Sequence, residues 1–379
     1  MGGFALDPDQ EAACARWRTL AAERLNDLAK AGEPGRVNRP LLAELGALGL
    51  LGRALDAGAL ELCLLRESLA HGCTEAETTL AVQGLGSHPV LARGTPAQRD
   101  RWLPEIRAGR AVAAFALSEP GAGSDAAALE LRAHPDPAGG GWRLHGAKRW
   151  ISHAPEADVI TVFARTGEEP GARGVTAFLV PGDRPGLSGE HLDMLSPHPI
   201  GSLAFDGVPV GPEDLLGEPG EGFRVAMGTL NRFRPSVGAF AIGMASAALD
   251  ATLAHTAERR AFGGVLADLQ TVNHTLAEMA TRIEAARLLV YAAAQAYDED
   301  PAGPRVPARA AMAKLLATET AGWVVDQAVQ LHGATALARG HLLEHLYRES
   351  RAPRIYEGAS EVQRDIIAKH LRREKAQPR

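Results

Sequence analysis

The chain has 379 residues, 46% of them hydrophobic and 23% charged, with a formal net charge of -6. That length allows more than one core, and the composition is that of a globular protein able to bury them. The acidic balance excludes a general nucleic-acid binder, because phosphate neutralisation needs a basic face.

The start, Met1-Gly2-Gly3-Phe4-Ala5-Leu6-Asp7-Pro8, carries neither a basic stretch nor a long apolar run, and later apolar runs are short and interrupted. A cytoplasmic protein with no membrane segment is expected on that reading. Residues 9 to about 110 read as short helices. Ala13, Trp17, Leu20, Leu25 and Leu28 recur at roughly helical spacing, and Leu41 to Leu48 and Leu60 to Leu65 repeat the pattern after Pro40 and Gly58. Thr95-Pro96-Ala97-Gln98 combines a cap, a proline in the first turn and a glutamine three residues on, which predicts a helix start. The three cysteines, Cys14, Cys63 and Cys73, are an odd number in a chain without an export signal, so free thiols are expected.

The character changes at Ala111. Ala111 to Leu117, Leu129 to His134, Trp142 to Leu144, Val159 to Ala164, Val175 to Val180 and Leu203 to Phe205 are short β-branched and aromatic runs between Gly, Pro and Asp clusters. They predict a small β-barrel or sandwich over residues 111–215. From there long helical patterns return at Glu221 to Glu258, Ala267 to Asp298, Pro307 to His332 and Gly358 to Leu371, with Pro235 expected to kink the first. The fold class is α+β and multidomain: a helical domain at 1–110, a β domain at 111–215 and a four-helix bundle at 216–379. Helices of thirty residues offer faces long enough to be shared between subunits.

Three patterns invite other functions and lack their context. Gly121-Ala122-Gly123-Ser124 could open a dinucleotide fingerprint, but the next segment reads as a strand and no βαβ unit follows. His341-Leu342-Leu343-Glu344-His345 matches H-x-x-E-H with no third ligand in sight, so no metal is expected. His71, Cys73 and Cys63 make no convincing ligand set either, and buried apolar cysteines are the better reading.

Four windows point to one chemistry. Phe115-Ala116-Leu117-Ser118-Glu119-Pro120-Gly121-Ala122-Gly123-Ser124-Asp125 leaves a strand for a loop of small residues and hydroxyls, where backbone donors can approach a flat ring or a phosphate. Gly146 to His153 adds an indole, Trp150, and a hydroxyl, Ser152. Glu258-Arg259-Arg260-Ala261-Phe262-Gly263 offers paired cations suited to a pyrophosphate. Glu357 stands directly before Gly358 and a helical run, where an acid is either a first-turn residue favoured by the helix dipole or a base.

Together these windows resemble the acyl-CoA dehydrogenase family over nearly the whole chain. The match runs through Leu117 to Asp125, Trp150-Ile151-Ser152, Leu216 to Phe223, Glu258 to Gly263 with Gln270, Ala328 to Gly333, and Ile355-Tyr356-Glu357-Gly358. The resemblance implies FAD as cofactor, with Phe115, Leu117, Ser118, Gly123, Ser124, Trp150, Ile151 and Ser152 on its flavin and phosphate side. It implies that Arg259, Phe262, Gln270, Gln330, Gly333 and Ala334 reach the FAD of a neighbouring subunit, and that Ala359 and Glu361 also lie at the cofactor. A dimer is then the minimum and a tetramer is suggested. Ser124, Asn231, Arg234 and Gly358 are implied at the substrate, and Glu357 as the base that takes the α-proton of an acyl thioester while the flavin accepts the β-hydrogen. Phe233 occupies the position from which some relatives supply the base, which leaves Glu357 as the candidate.

The chain departs from the family pattern at Ala334 after Gly333, at Ala359 in place of a frequent threonine, at Asn231 in place of Asp, and at Leu195-Ser196-Pro197-His198. The partners implied are an acyl-CoA and an electron-transfer flavoprotein or similar acceptor. Alternatives are the same chemistry on an acyl group held by a carrier protein, a flavin monooxygenase on this fold, and an inactive FAD-binding scaffold. Glu357 counts against the last two.

Overall fold

A computed structural model of the chain describes residues 6–376 apart from 138 and 197; Met1–Ala5 of the start read above, and Pro197 of the departing turn, lie outside the described residues. Helices come first: α1 (Pro8–Leu20), which continues through one π turn into α2 (Asn26–Lys30), then α3 (Arg39–Ala47), α4 (Leu50–Asp56), α5 (Ala59–Gly72), α6 (Thr74–Arg93) and α7 (Pro96–Arg107). The start expected at Thr95 is present. Its Oγ1 accepts from the Gln98 amide at 3.2 Å and Gln98 Oε1 accepts from the Thr95 amide at 2.8 Å, satisfying two end donors reciprocally.

Strands follow as β1 (Ala113–Ala116), β2 (Arg132–Pro135), β3 (Trp142–Ser152), β4 (Val159–Arg165), β5 (Val175–Pro181), β6 (Leu187–His191) and β7 (Ile200–Val210). Three differ from the sequence expectation, among them β7, which runs three residues before and five beyond the expected Leu203 to Phe205. β3 extends eight residues beyond Leu144, through a stretch whose glycine and charges conceal the period, and β6 is an edge strand of polar residues with no apolar alternation to announce it. The last region holds α8 (Gly222–Glu258), a ribbon of β8 (Arg260–Ala261) and β9 (Gly264–Val265), α9 (Gln270–Glu299), α10 (Val306–His332), α11 (Leu342–Glu349) and α12 (Ser360–Ala376). Pro235 lies inside α8, which runs on through it as a helix. By length and composition α8 could cross a membrane, but 67% of its apolar window is buried, as in a core helix.

Contacts sort the chain into two compact units: Met1–Asn26, Gly58–Glu77 and Asn231–Arg379 in the first, Asp27–Ala57 and Thr78–Leu230 in the second. The helices of the amino-terminal region are therefore divided, with α1 and α5 packing in the first unit and α3, α4 and α7 in the second.

The second unit is built on one sheet, seven-stranded among the described residues, in the order β1-β4-β2-β3-β7-β6 with β5 on the other side of β4. The β1–β4 pair is parallel, while β3–β7 and β4–β5 are antiparallel. β4 and β5 are buried along their whole length, with Phe163, Val175, Ala177 and Leu179 in a core that includes Leu103 and Ile106 of α7. Residues of α6 in this unit reach β1 closely. A side chain at Gly86 would meet the Ala114 backbone at 2.8 Å, and Gln83 bonds both the Ala111 carbonyl and the Ala113 amide.

The first unit is helical. Ala313, Ala317, Ala321 and Val324 of α10 share one apolar core with Met279, Ile283, Ala286 and Val290 of α9, and buried Ala310 continues their stripe along the helix. Alanines at this spacing let two long helices approach closely. Cys14, Cys63 and Cys73 are buried free thiols.

Candidate active site

In the second unit the loop after β1 and the end of β3 form one rim. β3 slips register against β7 between Lys148 and Ile151, so an extra residue enters there. A bulge of this kind re-aims side chains. Lys148 and Ile151 both turn inward, while Trp150 points outward with φ +58 and 44% of its surface exposed. Lys148 is fully buried and its Nζ donates to the Leu117 carbonyl at 2.9 Å and to Glu119 Oε1 at 2.8 Å. Glu119 accepts further from the Glu130 and Leu131 amides at 2.6 and 3.0 Å. Ser118 is thus gripped on both sides, and its own carbonyl accepts from the Arg149 amide. Burial lowers the Lys148 ammonium to about 8 against the pull of Glu119.

Of the flavin-side residues expected from sequence, Leu117 and Ile151 are buried supports, Phe115 packs on Phe163 with ring centroids 4.9 Å apart, and Ser118, Gly123, Ser124, Trp150 and Ser152 have accessible surface. A Cβ at Gly121 or Gly123 would meet nothing within 4 Å. An outward-turned indole, two hydroxyls and an open glycine loop beside them fit a flat ring and its phosphates.

In the first unit the turn before α12 holds Glu357. Its φ is +50 and that of Gly358 is +99, a left-handed pair that a bulky acid rarely adopts. Three side chains hold the pair through its carbonyls. Arg234 Nε of α8 donates to the Glu357 carbonyl at 3.2 Å, Lys314 Nζ of α10 to the Gly358 carbonyl at 2.7 Å, and Gln363 Nε2 of α12 to Gly358 at 2.9 Å. Arg234 also donates from Nη1 to Asn231 Oδ1 at 3.1 Å, so Asn231, Arg234, Glu357 and Gly358 are brought together, while Ser124, expected with them at the substrate, lies in the second unit. The Glu357 residue is partly exposed, yet its Oε2 is buried with no hydrogen-bond partner among the described residues. Burial pushes its carboxyl above the ordinary value, against the opposing charges of Arg66, Arg234 and Lys314.

Two of those cations, and the acid that balances one of them, escape the sequence reading. Arg66 of α5 is buried, paired through Nε with Glu77 and donating from Nη1 to Ser236 Oγ at 2.6 Å. Lys314 lies in phase with the Ala310, Ala317 and Ala321 stripe, and Arg66 four residues after buried Leu62. A cation on the apolar face of a helix was the available signal.

The remaining cofactor residues lie at another end of the first unit. Arg259, Phe262, Gln270, Gln330, Gly333 and Ala334 are all exposed, Phe262 by 92% and at φ +53. His255 stacks on His332 at 4.1 Å, which joins the end of α8 to the end of α10. Gln330 is 16 residues from Lys314 on α10, roughly 24 Å along a helix. One chain does not gather these residues at its own base turn. Ala359 follows in the chain and Glu361 is exposed beside Arg364, 3.4 Å away. All four non-glycine residues at positive φ among the described residues, Trp150, His153, Phe262 and Glu357, fall within windows singled out by sequence. The H-x-x-E-H residues have other work: His341 Nδ1 caps α11 by accepting from the Leu343 amide, Glu344 pairs with Arg348, and His345 bonds Thr74 Oγ1 at 2.6 Å.

Sequence-family models for the N-terminal, middle and C-terminal domains of acyl-CoA dehydrogenases match residues 7–110, 114–208 and 220–372. The chain belongs to the acyl-CoA dehydrogenase family. It is 38% identical over 341 residues to the mitochondrial short-chain specific acyl-CoA dehydrogenase of Bos taurus, covering 86% of this chain and 81% of that one. Butyryl-CoA dehydrogenase from Megasphaera elsdenii superposes with a TM-score of 0.90 at 31% identity, covering 98% and 100% of the two chains. The FAD complex of PigA superposes with a TM-score of 0.90 at 26% identity, covering 98% and 99%. As a member of this family the protein is a flavin-linked oxidoreductase, and FAD is its cofactor. Among its departures from the family pattern, Phe233 is buried in α8 with Arg232 over its ring at 5.8 Å, and Ala334 is exposed.

Proposed function

We propose that this family member oxidises an acyl thioester, an acyl-CoA, to its trans-2-enoyl form, with Glu357 as the base. The observation that carries the reading is the buried, unpartnered Glu357 Oε2 on a left-handed turn held by three side-chain donors. An α-proton beside a thioester is weakly acidic, so a base must be both more basic than an ordinary carboxylate and fixed in place. Burial supplies the first property and the clamped carbonyls the second. The Gly358 amide and the Arg234 guanidinium, with Asn231 and Ser124, are the groups we assign to holding the substrate. Arg234 and Arg66 put positive charge beside Glu357, where it would favour the enolate that forms as the base takes the proton. FAD, held by Ser118, Trp150, Ser152 and the glycine loop, supplies the acceptor for the β-hydrogen and its electron pair. The α-proton ends on Glu357, which returns it to solvent before the next turnover.

The exposed set of Arg259, Phe262, Gln270, Gln330 and Gly333 supports a homodimer or tetramer in which each chain contributes to its neighbour's FAD. An electron-transfer flavoprotein is the acceptor we assign, and the cytoplasm the compartment. Anaerobic titration of the FAD-loaded protein with a panel of acyl-CoAs tests the reading, with bleaching of the flavin absorbance expected for at least one. Bleaching by a carrier-protein thioester alone transfers the same chemistry to that carrier; no bleaching by any thioester sinks the proposal.

A further inference from the structure

Among the cations around Glu357, Lys314 differs from Arg66 and Arg234. Arg66 is hydrogen-bonded to a carboxylate of its own, Glu77, and Arg234 is tied to the Asn231 side chain as well as to the Glu357 carbonyl. Lys314 is fully buried, and its hydrogen-bond acceptor is the carbonyl of Gly358, one peptide beyond the base. Glu357 is the foremost charge acting on it, ahead of Arg234, Glu319 and Glu361. The same carbonyl receives Gln363 Nε2, so two donors, one charged and one neutral, converge on it and hold the peptide after Glu357 in its left-handed turn.

We infer that Lys314 is a positioning residue for the base: gripping the Gly358 carbonyl from α10, it orients the Glu357–Gly358 turn and its charge sets how readily Glu357 releases a proton. The inference rests on Glu357 being the base. The charged and titratable groups acting at the turn are Arg66 on α5, Glu77 on α6, Arg234 on α8, Glu319 on α10, Glu349 on α11, and Tyr356 and Glu361 beside the turn. Burial lowers the Lys314 ammonium to about 8, so it keeps its proton across the acid range in which a carboxylate titrates. Removing it takes away a cation and leaves Glu357 a weaker acid.

The test compares Lys314→Met, Lys314→Gln and Lys314→Arg, each purified with FAD, through the pH dependence of kcat/KM, whose acid limb reports the base in the free enzyme. Met and Gln are expected to move that limb upward by at least half a pH unit while KM changes less than kcat, and Arg, which keeps the charge, to restore it to within about 0.2 unit of the native protein. A limb that stays in place in Met and Gln overturns the inference, as does failure of both to fold with FAD bound, which would make the lysine a structural requirement alone. Glu357→Gln, measured in parallel by α-proton exchange of a bound thioester, separates the two claims. Native exchange in that variant removes the base assignment itself, whereas lost exchange with an unmoved Lys314→Met limb removes only the role of Lys314.

Discussion

The rim around Ser118 and the turn around Glu357 solve similar problems with similar parts, and their difference separates support from function. In each, a fully buried lysine donates to a backbone carbonyl next to the working residue: Lys148 to Leu117 at 2.9 Å, Lys314 to Gly358 at 2.7 Å. Each is close to a non-glycine residue in the left-handed region, Trp150 and Glu357. Burial lowers both ammonium groups to about 8. Lys148, however, has a carboxylate within hydrogen-bond reach, and that carboxylate is itself saturated by two backbone amides. The foremost charge acting on Lys314 is that of Glu357, whose Oε2 has no hydrogen-bond partner among the described residues. A paired buried lysine fixes a loop; one whose foremost charged neighbour is a proton acceptor also tunes that acceptor.

The largest test of this contrast is Glu357→Gln, which keeps the shape of the turn and removes the base. Flavin reduction is expected to fall by about three to four orders of magnitude with FAD content unchanged. Stopped-flow absorbance checks it, and a near-native rate would move the base elsewhere. Lys148→Met comes next, since it leaves Glu119 buried without its cation. A loss of roughly 3 kcal/mol in urea unfolding is expected, at the lower end for broken buried pairs because the two amides remain. A loss below about 1 kcal/mol would mean that the rim does not depend on the pair.

Acidification separates the two regions by sign. Burial depresses the His153 imidazole, which bonds the Ala113 carbonyl at 2.9 Å, from 6.5 to about 4. Between those values the unfolded chain binds the proton first, so stability near β1 is lost as pH falls through that window. Glu357 is raised, so the folded chain binds its proton first, and that contribution is present at low pH and lost as pH rises through the raised value. Hydrogen exchange at pH 6.5 and pH 4 should show protection falling at Ala113–Ala116 while the turn before α12 holds or gains. Parallel loss in both places would contradict the assignment.

Smaller effects sharpen the same picture. Lys314→Met forfeits a charged hydrogen bond but strands no carboxylate of its own, so its stability cost should be about 1–2 kcal/mol, below that of Lys148→Met by the same urea measurement. The reverse order would make Lys314 the structural member of the two. Thr95→Ala, which touches no hydrogen bond of either lysine, should lower stability by about 1 kcal/mol through the lost cap and leave flavin reduction unchanged. A change in reduction rate there would show that stability losses alone mimic site effects.

Much of this protein is legible in order along its chain. Helix ends with caps, such as Thr95 to Gln98, and strands with unbroken apolar runs, such as β4 and β5, follow from local period and end chemistry, which the sequence carries at short range. The windows at Ser118, Trp150, Arg259 and Glu357 were legible as well, because glycines, hydroxyls and an aromatic concentrate there, and the structure adds that Trp150, Phe262 and Glu357 are all held at positive φ. Tertiary structure alone decided the rest. A bulge opposite β7 turns Trp150 outward, and no local period announces a bulge that depends on its partner strand. Arg66 and Lys314 are 248 positions apart in the chain, and only the packing of α5, α8, α10 and α12 makes both of them neighbours of Glu357. The acid was visible in the sequence, but its proton affinity belongs to burial and to cations that other helices deliver.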